Sequence, residues 1–389
     1  MNHFLTEEQQ MIVDTAREIA VKHILPVREE YDHKGTFPWN VVKALAAADM
    51  CGLYIPQEYD GMGGGVLDLC LAVEELSKVD GGISLAMAAT ALGTFPILLG
   101  ATDEQKKKYL PSIARGEKLA AFGLTEANAG SDALGMKTTA KLDGDTYVLN
   151  GTKQWITNGE NAEIYTVFAK TNPAKGARGI SAFIVEKGTP GFSFGKHEDK
   201  MGIRASSTTE LVFQECRIPK ENLLGGREGM GSIVAINTLN NSRPGVAAQA
   251  LGIAAGALED AVKYSRERVQ FGQSISSFQA VQHMLADMAT EVEAARALLY
   301  ATARTVDHVK TSGEKGSFAK ESAMCKLFCS DVAMRVTVDA VQVYGGYGYM
   351  KEYPMEKRMR DAKITQIYEG TNQIQRNEIA LQLIKEAAK

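Results

Sequence analysis

A chain of 389 residues with a formal net charge of −4 offers no electrostatic reason to bind nucleic acid or an anionic membrane. Its hydrophobic share of 45% and charged share of 23% are those of a globular protein with a substantial core, buried in one large domain or in two to three smaller ones. The five cysteines are an odd number, and the six histidines show no HxxxH or HExxH spacing; neither a disulfide framework nor a metal site is expected, and the compartment is expected to be reducing and cytoplasmic.

The first region, residues 1–119, reads as helices. "MNHFLTEEQQMIVDTAREIAVKHI" is amphipathic and acidic early, without the basic and apolar segments of a signal peptide. Thr6 followed by Gln9 is a capping-box pattern that opens a helix. "PWNVVKALAAADMCGLYI", "LDLCLAVEELSKV" and "LAMAATALGTFPILLG" continue apolar residues at helical spacing between Gly/Pro-rich breaks. "KKK" at Lys106 to Lys108 reads as a solvated helix face. No stretch is long and apolar enough to span a membrane.

The middle region, residues 120–225, reads as an antiparallel β-domain. "KLDGDTYVLNGTKQWITNG" carries Asp-Gly and Asn-Gly turn signals between β-branched and aromatic runs. "EIYTVFAKT", "GISAFIVEKGTPGFSFG" and "TTELVFQECRIP" follow as short strands. The third region, residues 226–389, is helical again, and "SFQAVQHMLADMATEVEAARALLYATARTVDHVKT" is long enough for about 50 Å of helix. Helices of that length pack as an antiparallel bundle or at a subunit interface. Cys325 and Cys329 share a face of the next helix and read as core packing, since no neighbouring His or acid completes a ligand set.

Glycine clusters at residues 61, 225 and 345 do not satisfy GxGxxG and open no helix after a strand, so no Rossmann domain is expected. "GLTEANAGSDA", residues 123–133, is either a turn-rich connection or a loop offering N–H groups and hydroxyls to a planar polar ligand. Trp155 in "QWITNG" is either a core residue or a cofactor wall. Glu369 stands alone as the acidic residue of "KITQIYEGTNQIQR". It is either a helix-start charge favoured by the macrodipole or a carboxylate placed to be buried.

Together, "FGLTEANAGSDA", "WITNG", "RVQFG…FQ", "VQVYGGYGYMKEYPMEKRMRDAKI" and "QIYEGTNQIQR" stand in the order and spacing of the acyl-CoA dehydrogenases. The resemblance covers essentially the whole chain, and "RPGVAAQALGIA" and "DKMGIRAS" resemble the short-chain, butyryl-CoA type. It implies an α+β fold with an N-terminal all-α domain, a middle β-barrel-like domain and a C-terminal four-helix bundle, usually in a homotetramer. It implies FAD in the cleft between β-domain and bundle, partly completed by a neighbouring subunit, and electron-transferring flavoprotein as the partner that takes the electrons. Phe122, Leu124, Thr125, Trp155 and Thr157 match positions against the flavin ring, with Gly130 and Ser131 close by. Arg268, Phe271, Gln279, Gln342 and Gly346 match positions that reach a neighbour's FAD; Thr371 and Gln373 match contacts to the FAD phosphates, at a helix start whose free N–H groups suit an anion. Ser131, Ser206, Leu239, Asn240, Ser242, Arg243, Tyr368 and Gly370 fall where acyl-CoA contacts occur, although many relatives carry Asp at the Asn240 position.

The resemblance makes Glu369 the catalytic base and its backbone N–H, with a flavin ribityl hydroxyl, the grip on the thioester oxygen. A carboxyl at its ordinary pKa of about 4.3 is too weak a base to take an α-proton, and burial beside an acyl chain would strengthen it. One branch of the family takes its base from the position of Ser242, and serine alone cannot do that. The acyl tail is expected along Leu85 to Gly93, where no Arg is found; the position that would carry one for dicarboxylic acyl groups is matched to Ser84. Small residues there either leave room for a branched or cyclic acyl group or are closed over by their neighbours; the resemblance to the butyryl-CoA type implies a short one. Three other readings share the fold: enoyl-CoA reduction, an oxidase, and a non-catalytic CoA-binding protein.

Overall fold

The computed structural model describes residues 3–312 and 317–388. Helices open the chain: α1 (Glu7–Ile19), α2 (Arg28–Lys34), α3 (Trp39–Ala47), α4 (Val66–Val79), α5 (Leu85–Gly100) and α6 (Asp103–Ala114). The expected capping box forms at α1, where Gln9 N–H donates to Thr6 Oγ1 at 3.1 Å and Thr6 N–H to Gln9 Oε1 at 3.2 Å. These bonds satisfy donors that the helix itself cannot. α6 repeats the device with Thr102 and Gln105, and turns Lys107 and Lys108 outward. α5 is built of small and apolar residues and is buried along most of its length. Its Gly93 lies so close to β1 that a Cβ there would sit 2.5 Å from backbone atoms of Ala120 and Ala121.

The middle of the chain forms a seven-stranded sheet: β1 (Ala120–Gly123), β2 (Thr139–Asp143), β3 (Thr146–Thr157), β4 (Ile164–Lys170), β5 (Ile180–Glu186), β6 (Phe192–His197) and β7 (Thr208–Pro219). Its order is β1-β4-β2-β3-β7-β6, with β5 paired to β4. The expected Asp143-Gly144 hairpin joins β2 to β3. Two expectations are corrected. The sheet is mixed rather than wholly antiparallel, because β1 runs parallel to β4 from Ala120–Ile164 to Gly123–Val167 and β2 meets β4 in parallel at Thr139–Lys170. A parallel pair needs a crossover, and the β2–β3 hairpin supplies it without a helix. Asn150-Gly151 is not a turn. It marks a register shift inside β3, where Gly151 takes a φ of 145° and the Asn150 side-chain amide donates to Glu215 Oε1 and accepts from Glu215 N–H, both at 2.8 Å.

The remainder is helical: α7 (Gly231–Glu267), a small hairpin of β8 (Val269–Gln270) and β9 (Gln273–Ser274), then α8 (Gln279–Ser312), α9 (Ala319–Tyr344), α10 (Met355–Thr365) and α11 (Asn372–Ala387). α9 packs against α7, α8, α10 and α11, so the bundle is organised around one helix, with the short α10 added to the expected set. Cys325 and Cys329 are fully buried on α9. One hydrophobic core runs continuously from the N-terminal helices into α7, α8 and α9, and a second fills the sheet. Each fully buried leucine or isoleucine of these cores contributes about 1.5–3 kcal/mol. α4 packs on α7 and α8, and Asp307 of α8 caps the start of α4 by accepting from Val66 N–H at 2.6 Å and Leu67 N–H at 3.0 Å. Among the described residues no helix is long and apolar enough to cross a membrane.

Candidate functional site

A cleft of about 200 Å³ opens between α5, the ends of β1 and β3, α7 and the α10–α11 turn. A larger recess of about 510 Å³ lies elsewhere, between α2 and α10. Some of its charged groups answer one another, Arg360 with Asp32 at 2.9 Å and Lys357 with Asp80 at 2.8 Å. The smaller cleft, by contrast, keeps polar groups without partners among apolar ones, which is the composition of a ligand site.

Its helical wall centres on Glu369. The last two residues before the cap of α11 take left-handed backbone, Glu369 at φ 52° and Gly370 at φ 91°; this costs a glycine little and a glutamate more. Thr371 ends the turn by capping α11, its hydroxyl accepting from Ile374 N–H at 3.3 Å. Both turn carbonyls point away from the cleft: Gln375 Nε2 donates to Glu369 O at 3.1 Å and to Gly370 O at 2.9 Å, and Lys326 Nζ donates to Gly370 O at 2.8 Å. Among the described residues no acceptor takes the Glu369 N–H. The carboxylate enters the cleft, where Ser242 Oγ donates to its Oε2 at 2.5 Å. Burial pushes Glu369 up to about 7, against the Ser242 hydroxyl and the charges of Arg243 and Lys326. Tyr368 beside it donates its hydroxyl to Gln249 Oε1, and Gln249 Nε2 donates to Gly81 O at 2.6 Å, closing the cleft floor.

The sheet wall is the loop after β1. Lys153 and Trp155 of β3 leave the strand in opposite senses across a second register shift, between Lys153 and Ile156. Trp155 takes φ 57° and stays 54% exposed, lining the cleft. Lys153 is fully buried and donates to Leu124 O at 3.0 Å and Glu126 Oε1 at 2.8 Å. Glu126 also accepts from Lys137 N–H at 2.6 Å and from the Thr138 N–H and hydroxyl. Burial alone would raise the Glu126 carboxyl, but Lys153 and these bonds outweigh it and hold it at about 2. Gln154 N–H donates to Thr125 O at 2.9 Å, so adjacent residues of β3 pin both ends of the dipeptide Leu124-Thr125.

The structure brings Phe122, Leu124, Thr125, Gly130, Ser131, Trp155, Thr157, Leu239, Ser242, Arg243, Tyr368, Glu369 and Gly370 into this one cleft. Leu85, Ala88, Ala89, Leu92 and Phe95 of α5 face it as well. Arg268, Phe271, Gln279, Gln342 and Gly346 do not line it. They gather on an outer face, where the Arg268 guanidinium lies 5.1 Å over the Tyr347 ring and Phe271 is 94% exposed. Thr371 caps its own helix and Gln373 points outward, both beyond the cleft lining. Ser206 is buried outside the lining, and Asn240 accepts from Arg243 Nη1 at 2.9 Å rather than facing the cleft. Ser84 does not line the cleft. Ser84 is fully buried against Ser77 and Gly81, because it lies before the first turn of α5, and its side chain turns toward α4. Glu126, Lys153, Gln249 and Lys326 went unread in the sequence.

A flavin fits these residues. Among the described residues no hydrogen bond engages the hydroxyls of Thr125, Ser131 or Thr157, all of which line the cleft, and a Cβ built on Gly130 meets nothing within 4 Å. Free donors beside an exposed indole are what a planar ring with polar edges requires.

Three domain descriptions match the chain in order: acyl-CoA dehydrogenase N-terminal domain over residues 6–117, middle domain over 121–216 and C-terminal domain over 229–384. A short-chain-specific acyl-CoA dehydrogenase of Megasphaera elsdenii is 50% identical over 380 residues, 96% of this chain and 97% of that protein. An acryloyl-CoA reductase (NADH) of Anaerotignum propionicum is 48% identical across 99% of this chain and 96% of its own length. Among solved structures, a chain from the one described as electron transferring flavoprotein of Acidaminococcus fermentans superposes with a TM-score of 0.94 at 54% identity, covering 98% of this chain and 99% of that one. An acyl-CoA dehydrogenase from Bacillus anthracis complexed with FAD superposes with a TM-score of 0.91 at 37% identity, covering 100% of this chain and 68% of that one.

Proposed function

The chain belongs to the acyl-CoA dehydrogenase family, a family of FAD-dependent oxidoreductases acting on CH–CH groups, and we propose that it converts a short acyl-CoA thioester to the trans-2-enoyl-CoA with Glu369 as the base. The observation that carries this reading is the half-buried Glu369 carboxyl, desolvated by its surroundings and pushed up to about 7 in a cleft whose other wall presents free donors. A base of that strength is matched to work near neutral pH. When bound, FAD supplies the acceptor for the hydride leaving Cβ. Phe122, Leu124, Thr125, Trp155 and Thr157 would hold its ring, with Gly130 and Ser131 alongside. The free Glu369 N–H would donate to the thioester oxygen and stabilise the charge that develops as Glu369 takes the Cα proton. Gly370 lets the backbone approach closely enough for that.

The acyl group would lie along α5, and the Tyr368–Gln249–Gly81 chain closes the space beyond it. No Arg or Lys of α5 enters the cleft lining, which favours uncharged over dicarboxylic acyl groups. Arg268, Phe271, Gln279, Gln342 and Gly346, gathered on an exposed face away from this cleft, would complete the FAD site of a neighbouring subunit in a homotetramer. Electrons would pass to electron-transferring flavoprotein, in keeping with the likeness to the Acidaminococcus fermentans structure. The likeness to an acryloyl-CoA reductase favours a second reading, in which the same site reduces a short enoyl-CoA. Anaerobic titration with straight, branched, cyclic and dicarboxylic acyl-CoAs, followed by flavin absorbance, tests both. Bleaching by short uncharged acyl-CoAs is expected; bleaching only by dicarboxylic ones, or by none while enoyl-CoA reoxidises the reduced flavin, would overturn the first reading.

A further inference from the structure

Behind the Glu369 turn, α9 carries a lysine where its packing pattern runs through small and apolar residues. Lys326 is fully buried, as are Ser322 and Ser330 one turn to either side of it. Its Nζ donates to Gly370 O at 2.8 Å and to Asn372 Oδ1 at 2.8 Å. Both partners are neutral oxygens. A buried ammonium without a contacting anion is costly, and leucine or methionine would fill the same volume more stably. Asn372 is in turn fixed by Ser330 Oγ at 2.9 Å and Asp331 Oδ1 at 2.8 Å. The lysine is therefore aimed at the back of a left-handed turn that a glutamate occupies only when its surroundings enforce it.

We infer that Lys326 is a positioning residue for the Glu369 base: its ammonium group fixes the Gly370 carbonyl behind the turn and, by its charge, favours the carboxylate anion in front of it. The inference rests on Glu369 being the base. Three charged groups act on the lysine: Glu369 on the turn, Arg243 on α7 and Asp331 on its own helix. Burial pushes Lys326 down to about 7, with Glu369 and Asp331 opposing that and Arg243 adding to it. Geometry and charge act together, since the bond that draws the Gly370 carbonyl rearward helps hold the Glu369 backbone with its N–H free.

The experiment compares Lys326→Met, which removes donor and charge, with Lys326→Gln, which keeps a donor only. Flavin content, melting temperature and the pH dependence of anaerobic flavin reduction by a short acyl-CoA are measured for each. Lys326→Met is expected to keep bound FAD, to lose on the order of 10²-fold in maximal rate, and to move the acid limb of the profile upward by about one pH unit. Lys326→Gln is expected to recover much of the rate while keeping the displaced limb. A wild-type limb in Lys326→Gln, or equal rate losses in both variants with the limb unmoved, makes the lysine a packing residue and overturns the inference. Should Lys326→Met not fold, the limb of Lys326→Gln decides; failure of both to fold makes the lysine a folding element and overturns it equally. Glu369→Gln in the same assay separates the two claims. If it still reduces flavin, the base assignment falls; if it does not and the lysine variants behave as wild type, only the role of Lys326 falls.

Discussion

On the sheet side of the cleft a buried lysine meets a carboxylate; on the helical side a buried lysine meets only carbonyl and amide oxygens. Lys153 and Glu126 neutralise each other and together hold the loop that follows β1. Burial pushes Lys153 down to about 8 despite that partner, and Lys326, without one in contact, falls further, to about 7. The difference separates two tasks. The sheet wall must keep one shape across a wide pH range for a bound ring, and a closed ion pair does this. The helical wall must keep a carboxylate basic, which a contacting cation would prevent by making it a strong acid. Among the described residues, charge therefore acts on Glu369 without an ion-pair contact and touches Glu126 directly.

The sharpest way to break this division is Glu369→Gln, which keeps shape and removes the base. FAD content is expected to stay at the wild-type level while flavin reduction by acyl-CoA slows by about 10²–10⁴-fold, the range of a general base. A near wild-type rate would place the base elsewhere. Glu126→Gln should act in the opposite sense. It leaves the Lys153 ammonium buried with neutral oxygens and no anion, and breaking a buried pair costs about 3–5 kcal/mol. The variant should melt lower and release FAD more readily, while whatever fraction holds FAD reacts at a normal rate. A slow reaction with stable FAD binding would erase the distinction between the walls.

These two lysines also mark where sequence reading ends. Glu369, Trp155, Thr125 and Gly130 lie in short motifs whose order carries family information, so they could be read without coordinates. Lys153 sits beside one such motif and Lys326 outside all of them, and both escape, because a lysine in a strand or helix reads as solvated until a distant partner is known. A faint signal exists for Lys326: it continues the stripe Ala319, Ser322, Ala323, Ser330 and Ala333 at helical spacing, all of it buried in the structure. The parallel pairing of β1 with β4 was equally hidden, since strand periodicity carries no direction. Asn150-Gly151 misled because the dipeptide that favours a tight turn also suits a bulge, and only the register against β7 separates the two.

Acidification should separate the walls without mutation. Glu126 has a folded pKa of about 2 against an ordinary 4.5, so it contributes stability above about pH 4.5 that is lost as pH falls toward 2. Glu369 has the reverse sign, with a folded pKa of about 7 against 4.5. The folded state binds more protons between those values, so this group's contribution weakens as pH rises through the window. From pH 7 to 5 the enzyme should therefore lose flavin reduction about tenfold per unit through protonation of its base, with FAD retained. Only below about pH 4.5 should flavin fluorescence report release. Coincident loss of both would mean that one group governs both walls.

The smallest expected effect comes from Ser242→Ala. The Ser242 hydroxyl donates to Glu369 Oε2 at 2.5 Å and stabilises the anion. Removing it raises the carboxyl further, so the acid limb of flavin reduction should move to higher pH by less than about one unit. Above that limb the base is stronger and its carboxylate freer to turn toward the substrate, so the plateau rate should hold or rise slightly. The alanine leaves no buried donor unsatisfied on α7, and Glu369 keeps its turn through Gln375 and Lys326. A Ser242→Ala variant whose plateau collapses while its limb stays in place would show that the hydroxyl orients the carboxylate rather than tuning it. The helical wall would then depend on shape as strictly as the sheet wall does, and the contrast between them would fail.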